Sequence, residues 1–331
     1  MVIDENTDVV DDEAIKLIHK RSKIKKGDIL FASIGRMGDM YIIEDDPVGW
    51  DINESVFAFT LDTNIVRQKY FYYIFRVKST LDYLASNSSG STFKSIKMNQ
   101  LKKMTFDIPP LEKQDQIVAT LDKVCNVIEM RKQELISLDD LIKARFVEMF
   151  GTLDNPAQKF EKATLKELCN KITDGKHGGC TSEEGTKRYF VGAREIYNDE
   201  VHYDTAPEIN VDEFEKDYKR CNIEIGDFLI VNTGATIGKS AIASDERTEH
   251  TLLQKSVALL KVKQELLNPM FLKWCYRVNT RMYMVESASA QPNLLLSKIN
   301  ATEIYVPDMK LQNQFADFVH QVNKSKFIRH Y

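Results

Sequence analysis

From Leu111 to Phe150 the apolar residues keep one rhythm. Ile117, Leu121, Val124, Ile128, Arg131, Leu135, Leu138, Ile142, Arg145 and Met149 follow one another at steps of 4, 3, 4, 3 without a break. Only the two arginines depart from apolar character, and neither proline nor glycine falls inside the run. That spacing is a heptad seam and predicts one long helix lying along a partner helix. Gly151 stands where a helix stop belongs, because glycine adopts the left-handed C-terminal cap freely. A single heptad would fit an ordinary amphipathic core helix. A seam sustained over five fits a rod or spacer better.

On either side of the seam, short apolar runs alternate with turn residues. Ile29-Leu30-Phe31 and Phe228-Leu229-Ile230-Val231 each follow a Gly-Asp pair and read as buried strands. Ser256 to Val262 reads as a strand. So do Met104 to Ile108 and Ile304 to Val306, which both end at proline. Asn268-Pro269 opens a helix running to Val278, since proline is tolerated in a first turn. Lys69 to Val77 is its aromatic-rich counterpart, and Asp154-Asn155-Pro156 reads as a linker after the rod.

These elements recur in order, with a period near 200. Gly27-Asp28-Ile29-Leu30 returns as Gly226-Asp227-Phe228-Leu229 at offset 199, and Gly35 and Gly38 return as Gly234 and Gly238. Ser55-Val56 returns as Ser256-Val257 and Arg76-Val77 as Arg277-Val278, at offset 201. Ile108-Pro109 with Gln114, Gln116 and Ile117 returns as Val306-Pro307 with Gln312, Gln314 and Phe315, at offset 198. The repeating unit is a globular segment, a proline and the start of a helix. Lys159 to Tyr203 have no counterpart in the first copy. The second helix begins near Leu311, with Phe315, Val319 and Val322 in the same rhythm.

Length and composition fit two globular domains: 331 residues, 43% hydrophobic and 28% charged. No apolar run approaches the roughly 20 residues of a membrane span, and the acidic stretch Asp4 to Glu13 does not resemble a signal peptide. Five scattered cysteines without a CxxC pair read as free thiols of a reducing cytoplasm, and the spacing of the six histidines gives no metal motif. A net charge of −4 argues against a chain that coats nucleic acid everywhere, yet it permits local basic surface. Lys16, Lys20, Arg21, Lys23, Lys25 and Lys26 form one such cluster, and Lys94, Lys97, Lys102 and Lys103 another. Either also fits a plain solvated face.

Gly234-Ala235-Thr236-Ile237-Gly238-Lys239-Ser240 has the look of a phosphate loop, but three residues separate its glycines where a nucleotide loop needs four. The first copy, Gly35-Arg36-Met37-Gly38, has only two. Both read instead as strand-connecting loops carrying a cation, Arg36 or Lys239. Thr173-Asp174-Gly175-Lys176-His177-Gly178-Gly179 is a second polar loop, either a surface turn or a reader of base edges and phosphates. Hydrolase and metalloprotease motifs are missing, as are the glycine-rich and Asn/Asp-Pro-Pro-Tyr/Phe signals of an adenine methyltransferase. No active site is read.

Asp107-Ile108-Pro109-Pro110-Leu111-Glu112-Lys113-Gln114-Asp115-Gln116-Ile117-Val118-Ala119 resembles the junction between target-recognition domain and conserved helix in specificity (S) subunits of type I restriction–modification enzymes. Gly27-Asp28-Ile29-Leu30 and Gly226-Asp227-Phe228-Leu229 resemble that family's mid-domain strand, and Asp174-Gly175-Lys176-His177 its early Asp-Gly-x-His loop. Val306-Pro307 through Lys324-Ser325-Lys326 is similar to the start of its second conserved helix.

The resemblance implies an α+β fold: two α/β target-recognition domains, the first partial, separated by a long coiled-coil helix, with the start of a second such helix at the C-terminus. The corresponding segments are 1–110, 111–151, 152–310 and 311–331. It implies a non-catalytic subunit without a cofactor of its own. Such a subunit reads double-stranded DNA at a split site and directs M subunits, which methylate adenine with S-adenosylmethionine, and R subunits, which cleave using ATP and Mg. The alternative is a protein-binding scaffold, or an inactive recombination fragment of such a subunit. Lys176, His177, Arg194, Thr233, Thr236 and Lys239 in the second lobe, and Arg36, Lys94 and Lys97 in the first, are the expected DNA contacts. The second helix is short against the seam. An apolar stripe from Leu135 to Met149 is therefore expected to be left for a second copy, a complementary S fragment or the M subunits.

Overall fold

The computed structural model describes residues 7–90, 93–283 and 293–328; the end of the expected second helix, 329–331, lies outside them. The chain divides into two compact units, residues 1–131 and 132–331.

In the first unit, α1 (Asp12–Ser22) is capped by Asp11, whose carboxylate accepts the Ala14 N–H at 2.7 Å. The helix closes at left-handed Lys23. β1 (Ile29–Ala32) is the centre of a three-stranded antiparallel sheet, with β2 (Met40–Ile42) on one side and β3 (Val56–Phe59) on the other. α2 (Gln68–Ile74), α3 (Lys78–Asn87) and α4 (Met98–Leu101) cover one sheet face, gathering Phe71, Phe75, Leu84 and Leu101 around Phe31 and Phe59. Met104 to Ile108, expected as a strand, carries no ladder among the described residues. A strand needs a neighbour for its backbone groups. Lacking one, the segment is anchored by Phe106, which packs on Phe71 and Phe75.

α5 (Leu111–Phe150) is the helix that the seam announces, and Gly151 closes it at φ +75°. A Cβ at Gly151 would lie 2.3 Å from the Asn155 carbonyl oxygen, so only glycine fits. Residues 123–130 are exposed on every face, including the seam positions Val124 (50%) and Ile128 (49%).

The second unit opens with β4 (Glu161–Thr164), α6 (Leu165–Leu168) and β5 (Cys169–Asp174). β6 (Tyr189–Val191), the β7 (Ile196–Tyr197) and β8 (Glu200–Val201) hairpin, and α7 (Val211–Tyr218) follow. Next come β9 (Phe228–Val231), β10 (Ser240–Ile242), β11 (Thr251–Leu253) and β12 (Val257–Val262). α8 (Pro269–Val278), α9 (Leu296–Ala301), β13 (Glu303–Val306) and α10 (Met309–Ile328) complete it. The main sheet is antiparallel in the order β10-β9-β12-β5. β11 pairs parallel with β6, and β13 pairs antiparallel with β4.

The main sheet is buried on both faces, which is why its strands read as continuous apolar runs. Alternate residues point to opposite sides. Phe228, Ile230, Ala258 and Leu260 meet α8 and the end of α5, whereas Leu229, Val231, Val257 and Leu259 meet Val191, Ile196, Tyr203 and Cys221.

The expected open stripe on α5 is corrected here. α10 runs antiparallel to the end of α5: Phe315 meets Phe146 at 5.3 Å and Phe150 at 5.7 Å, and the Lys326 ammonium reaches Asp139 at 2.6 Å. Ile142, Phe146 and Phe150 are fully buried, with Leu138 and Met149 packed against them. Twenty residues of α10, together with α8, cover what the seam alone suggested would stay bare. The apolar side chains left exposed on α5 are Val124, Val127, Ile128 and Met130 and, off the seam within 135–149, Ile136, Leu141 and Val147.

The repeat is a repeat of hydrogen bonds as well as residues. Gly27 N–H donates to Ile43 O and Gly226 N–H to Ala243 O, both at 2.8 Å. Ser33 N–H donates to Ser55 O at 2.8 Å and Asn232 N–H to Ser256 O at 3.0 Å. Gln114 and Gln312 are fully buried in matching roles. The Gln114 amide accepts from Arg67 N–H and donates to Ile65 O and Pro109 O; that of Gln312 accepts from Asn268 N–H and donates to Leu266 O and Pro307 O. β4 to β8 all fall within the stretch 159–203 that has no counterpart in the first copy.

Candidate nucleic-acid interface

In the second unit, three loops meet at one end of the main sheet. β5 ends at Asp174, β9 at Val231, and β12 begins at Val257, all side by side in register. Gly175 leads out of β5 so close to β11 that a Cβ would fall 2.1 Å from the Leu253 carbonyl oxygen. That approach lets Lys176 N–H donate to Leu253 O at 2.7 Å and Lys255 N–H to Lys176 O at 2.9 Å. Beyond β9, Thr233 bridges to Asn293, and Leu294 N–H donates to Asn232 O at 2.7 Å. Between these loops lies a cleft of about 350 Å³ lined by Lys176, Gly178, Thr233, Gln254, Lys255, Ser256 and Asn293.

The expected residues fall into three groups. Thr233 and Lys176 line the cleft itself. Arg194 is exposed on the Gly192–Glu195 turn, which is tied to the cleft wall by Ala193 N–H donating to Ser256 Oγ at 3.1 Å. The buried Glu195 carboxylate closes that turn by accepting Gly192 N–H at 2.8 Å. Thr236, half-buried, and Lys239, exposed, sit on the β9–β10 loop that Thr233 starts; its Gly234 and Gly238 both adopt φ +90°.

One expectation changes. Lys176 is not a free cation: its ammonium lies 2.7 Å from Asp217 and 3.3 Å from Glu213, with the side chain only 18% exposed. Those hydrogen-bonded carboxylates raise its pKa and fix the charge inward, leaving the stem to the cleft. His177 is half exposed with Nε2 3.3 Å from Asp174. The Asp174 carboxylate also pairs with Arg220, and Arg220 Nε–H donates to Asp174 O at 3.0 Å. The exposed cations around the cleft are Arg194, Lys239 and Lys255. Lys255, Gln254, Ser256 and Asn293 were not singled out from sequence as contact residues. The Ser256-Val257 repeat was the one signal pointing there.

The first unit builds the same frame. Arg36 is exposed on the β1–β2 loop, and Lys94 and Lys97 are exposed on either side of Ser95-Ile96. Ile34 bridges to Ser95, and Ile96 N–H donates to Ser33 O at 3.0 Å. These contacts bring the three cations to one end of that sheet, as the Thr233–Asn293 bridge does in the second unit. Among the described residues no set of three or more His, Cys, Asp and Glu side chains gathers as a metal site would. No described helix is long and apolar enough to cross a membrane.

Two stretches, residues 11–139 and 157–329, match the family model of the type I restriction modification DNA specificity domain. A type I restriction enzyme specificity subunit (MjaIX) of Methanocaldococcus jannaschii is 30% identical over 110 residues, which cover 33% of this chain and 25% of that protein. A putative type I restriction enzyme specificity subunit of Haemophilus influenzae is 31% identical over 104 residues, covering 31% and 26%. The matched stretch thus spans about a quarter of each curated relative. Among solved structures, a chain from a study of complex assembly and conformational transition of the type I R-M system covers 92% of this chain and 76% of its own, at TM-score 0.53 and 17% identity. The type I restriction–modification S subunit of M. genitalium covers 91% and 77%, at TM-score 0.51 and 17% identity. At that identity the structures speak for the α+β fold and its long helix between two domains. With the family model matching most of the chain in two stretches, the chain belongs to the type I restriction modification DNA specificity domain family.

Proposed function

We propose that the chain is the non-catalytic, DNA-reading subunit of a type I restriction–modification complex. Its second unit reads one half of a bipartite site, and its first unit contributes contacts to the other half. The M subunits then methylate adenine with S-adenosylmethionine, and R subunits cleave with ATP and Mg. The observation that carries the reading is the convergence at one sheet end of Thr233, Gln254, Ser256 and Asn293, flanked by Arg194, Lys239 and Lys255. Amide and hydroxyl groups can hydrogen-bond base edges, and surrounding cations can neutralise phosphates. The matching frame around Arg36, Lys94 and Lys97 supports a role for the first unit.

DNA affinity of the chain together with its M subunits, measured across salt concentrations, tests this. Phosphate neutralisation makes log K fall linearly with log salt, by about 0.9 per phosphate contact. Mapping methylated adenines in cells with and without the chain then reads the site. Salt-insensitive or absent DNA binding would favour a protein-binding scaffold.

A further inference from the structure

β6 and β11 run parallel with Val191 beside Leu253, and both strands end there. The next residues, Gly192 and Gln254, still lie together, because Gln254 N–H donates to Val191 O at 2.8 Å. Gly192 lies outside the left-handed region, so its φ is open to any residue. Space is what calls for glycine here. A Cβ would fall 2.4 Å from Gln254 Oε1 and 3.1 Å from Nε2, so the Gln254 amide rests against bare backbone. That seat is itself held in place. Gly192 N–H donates to the buried Glu195 carboxylate at 2.8 Å, and Ala193 N–H to Ser256 Oγ at 3.1 Å.

Other polar side chains of the cleft are spent on the protein. The Lys176 ammonium is taken by Asp217 and Glu213, Ser256 Oγ by Ala193, and the Thr233 hydroxyl by Asn232 and Asn293. Gln254 also lines the cleft, yet its side-chain amide has no hydrogen-bond partner among the described residues. The repeat separates its two roles. Val257 N–H donates to Gln254 O at 2.9 Å, as Val56 N–H donates to Asn53 O at 3.2 Å in the first unit. The Asn53 side chain, however, turns back to accept Ser55 N–H at 3.0 Å. The shared frame thus uses the carbonyl at this position and leaves the Gln254 side chain for another purpose.

We propose that Gln254 is a specificity-determining residue that reads one adenine of the half-site, and that Gly192 is the shelf that positions it, an assignment that rests on the DNA reading proposed above. The amide carries an acceptor and a donor side by side. In the major groove adenine offers the complementary pair, the N6 amino group as donor and N7 as acceptor. Guanine presents two acceptors there, which would leave Oε1 without a partner, and cytosine presents only its N4 donor. An amide already seated before DNA arrives loses less freedom on binding than a mobile one. Lys255, the next residue, is exposed and supplies a cation for the neighbouring phosphate.

The test uses the full chain assembled with its M subunits and a pool of randomised DNA duplexes, from which the preferred site is read. Gln254→Ala is expected to lose the preference for one adenine by about tenfold or more and to keep the preferences at the other positions. Replacing that adenine with 7-deazaadenine, which lacks the N7 acceptor, weakens the native complex and leaves the Gln254→Ala complex unchanged. Gly192→Ala displaces the amide and relaxes the same position. Added to Gln254→Ala it changes nothing, because the new methyl then has room, and intact preferences elsewhere show that the double variant is folded. Three outcomes overturn the inference and leave the DNA reading standing: unchanged preferences in Gln254→Ala, a relaxed position whose base is not adenine, or an affinity loss spread evenly over all sequences. No binding of DNA by the native complex at any salt concentration overturns the DNA reading and the inference together.

Discussion

The side-chain oxygen of Gln312 accepts the backbone N–H of Asn268 at 2.8 Å, joining the N-cap of α8 to the first turn of α10. Its amide nitrogen spends both hydrogens on Leu266 O and Pro307 O, so one fully buried side chain satisfies three backbone groups. Gln312→Ala strands all three and is expected to lower the stability of the second unit by about 3 kcal/mol in urea unfolding. Gln312→Glu will not restore it, because a carboxylate cannot donate to two carbonyls. Stability within about 0.5 kcal/mol of the native chain would show that the pairing is dispensable.

Phe146 and Ile128 separate the covered and bare parts of α5. Phe146→Ala removes a fully buried ring packed on Phe150, Phe271 and Phe315, a change that costs about 4 kcal/mol. Val124→Lys with Ile128→Lys touches only exposed positions and should shift stability by less than about 0.5 kcal/mol. The reverse ranking in thermal unfolding would mean that the covered segment lies nearer the middle of the helix.

Glu213 gives a pH dependence with a definite sign. Hydrogen bonds from the Thr181 hydroxyl (2.7 Å) and N–H (3.3 Å), followed by that from Lys176, hold its carboxyl at about 2, below its ordinary 4.5. The unfolded chain takes up this proton near 4.5, whereas the folded chain resists until about 2. The stabilisation is complete above 4.5 and is lost as pH falls toward 2. Amide exchange at Thr181 should therefore accelerate across that window, and Glu213→Gln should flatten the response. An equally steep response in Glu213→Gln would assign the acid sensitivity to another group.

The thiols should sort by burial. Desolvation pushes Cys169 and Cys275 up to about 12 and Cys221 up to about 11, and all three are buried. Cys125 is exposed on α5. Because thiolate is the reactive form, alkylation of the native chain should modify Cys125 first. The other three should react only after denaturation. Peptide mapping after timed labelling checks the order.

Among the cations near the cleft, Lys239 and Lys255 differ from Lys176. Lys239→Ala and Lys255→Ala should each weaken DNA binding across sequences and reduce the salt slope by about one. Lys176→Ala should instead loosen α7, because Glu213 and Asp217 lose their shared cation. A salt slope changed by Lys176→Ala alone would return that residue to the phosphate contacts.

The long helix and the duplicated unit were legible because they rest on local signals: a heptad period, a Gly-Asp turn and a Pro-x4-Gln spacing. Distances along the chain explain the rest. Lys176 looked free because its partners lie 37 and 41 residues away. The stripe from Leu135 to Met149 looked bare because its cover, Phe315 to Val322, comes more than 160 residues later. Met104 to Ile108 has strand-like residues, yet its counterpart β13 owes its ladder to β4, which the first copy lacks. The cleft joins Gln254 and Asn293 to Thr233 from distant loops, and only the Ser256 repeat hinted at it.

All four residues of β9 are fully buried, yet the loop that this strand launches carries Thr233 and Thr236, both half-buried, and the exposed Lys239. Mutational tolerance is therefore split within a dozen residues. Exchanges on the strand are felt on both sides of the sheet, while exchanges at the polar loop positions leave the packing alone. The limits within the loop are Ile237, which packs on the core, and its two glycines, Gly238 above all, since a Cβ there would strike the Tyr283 ring at 2.3 Å. A lineage carrying this architecture can diversify what it recognises quickly without refounding its fold.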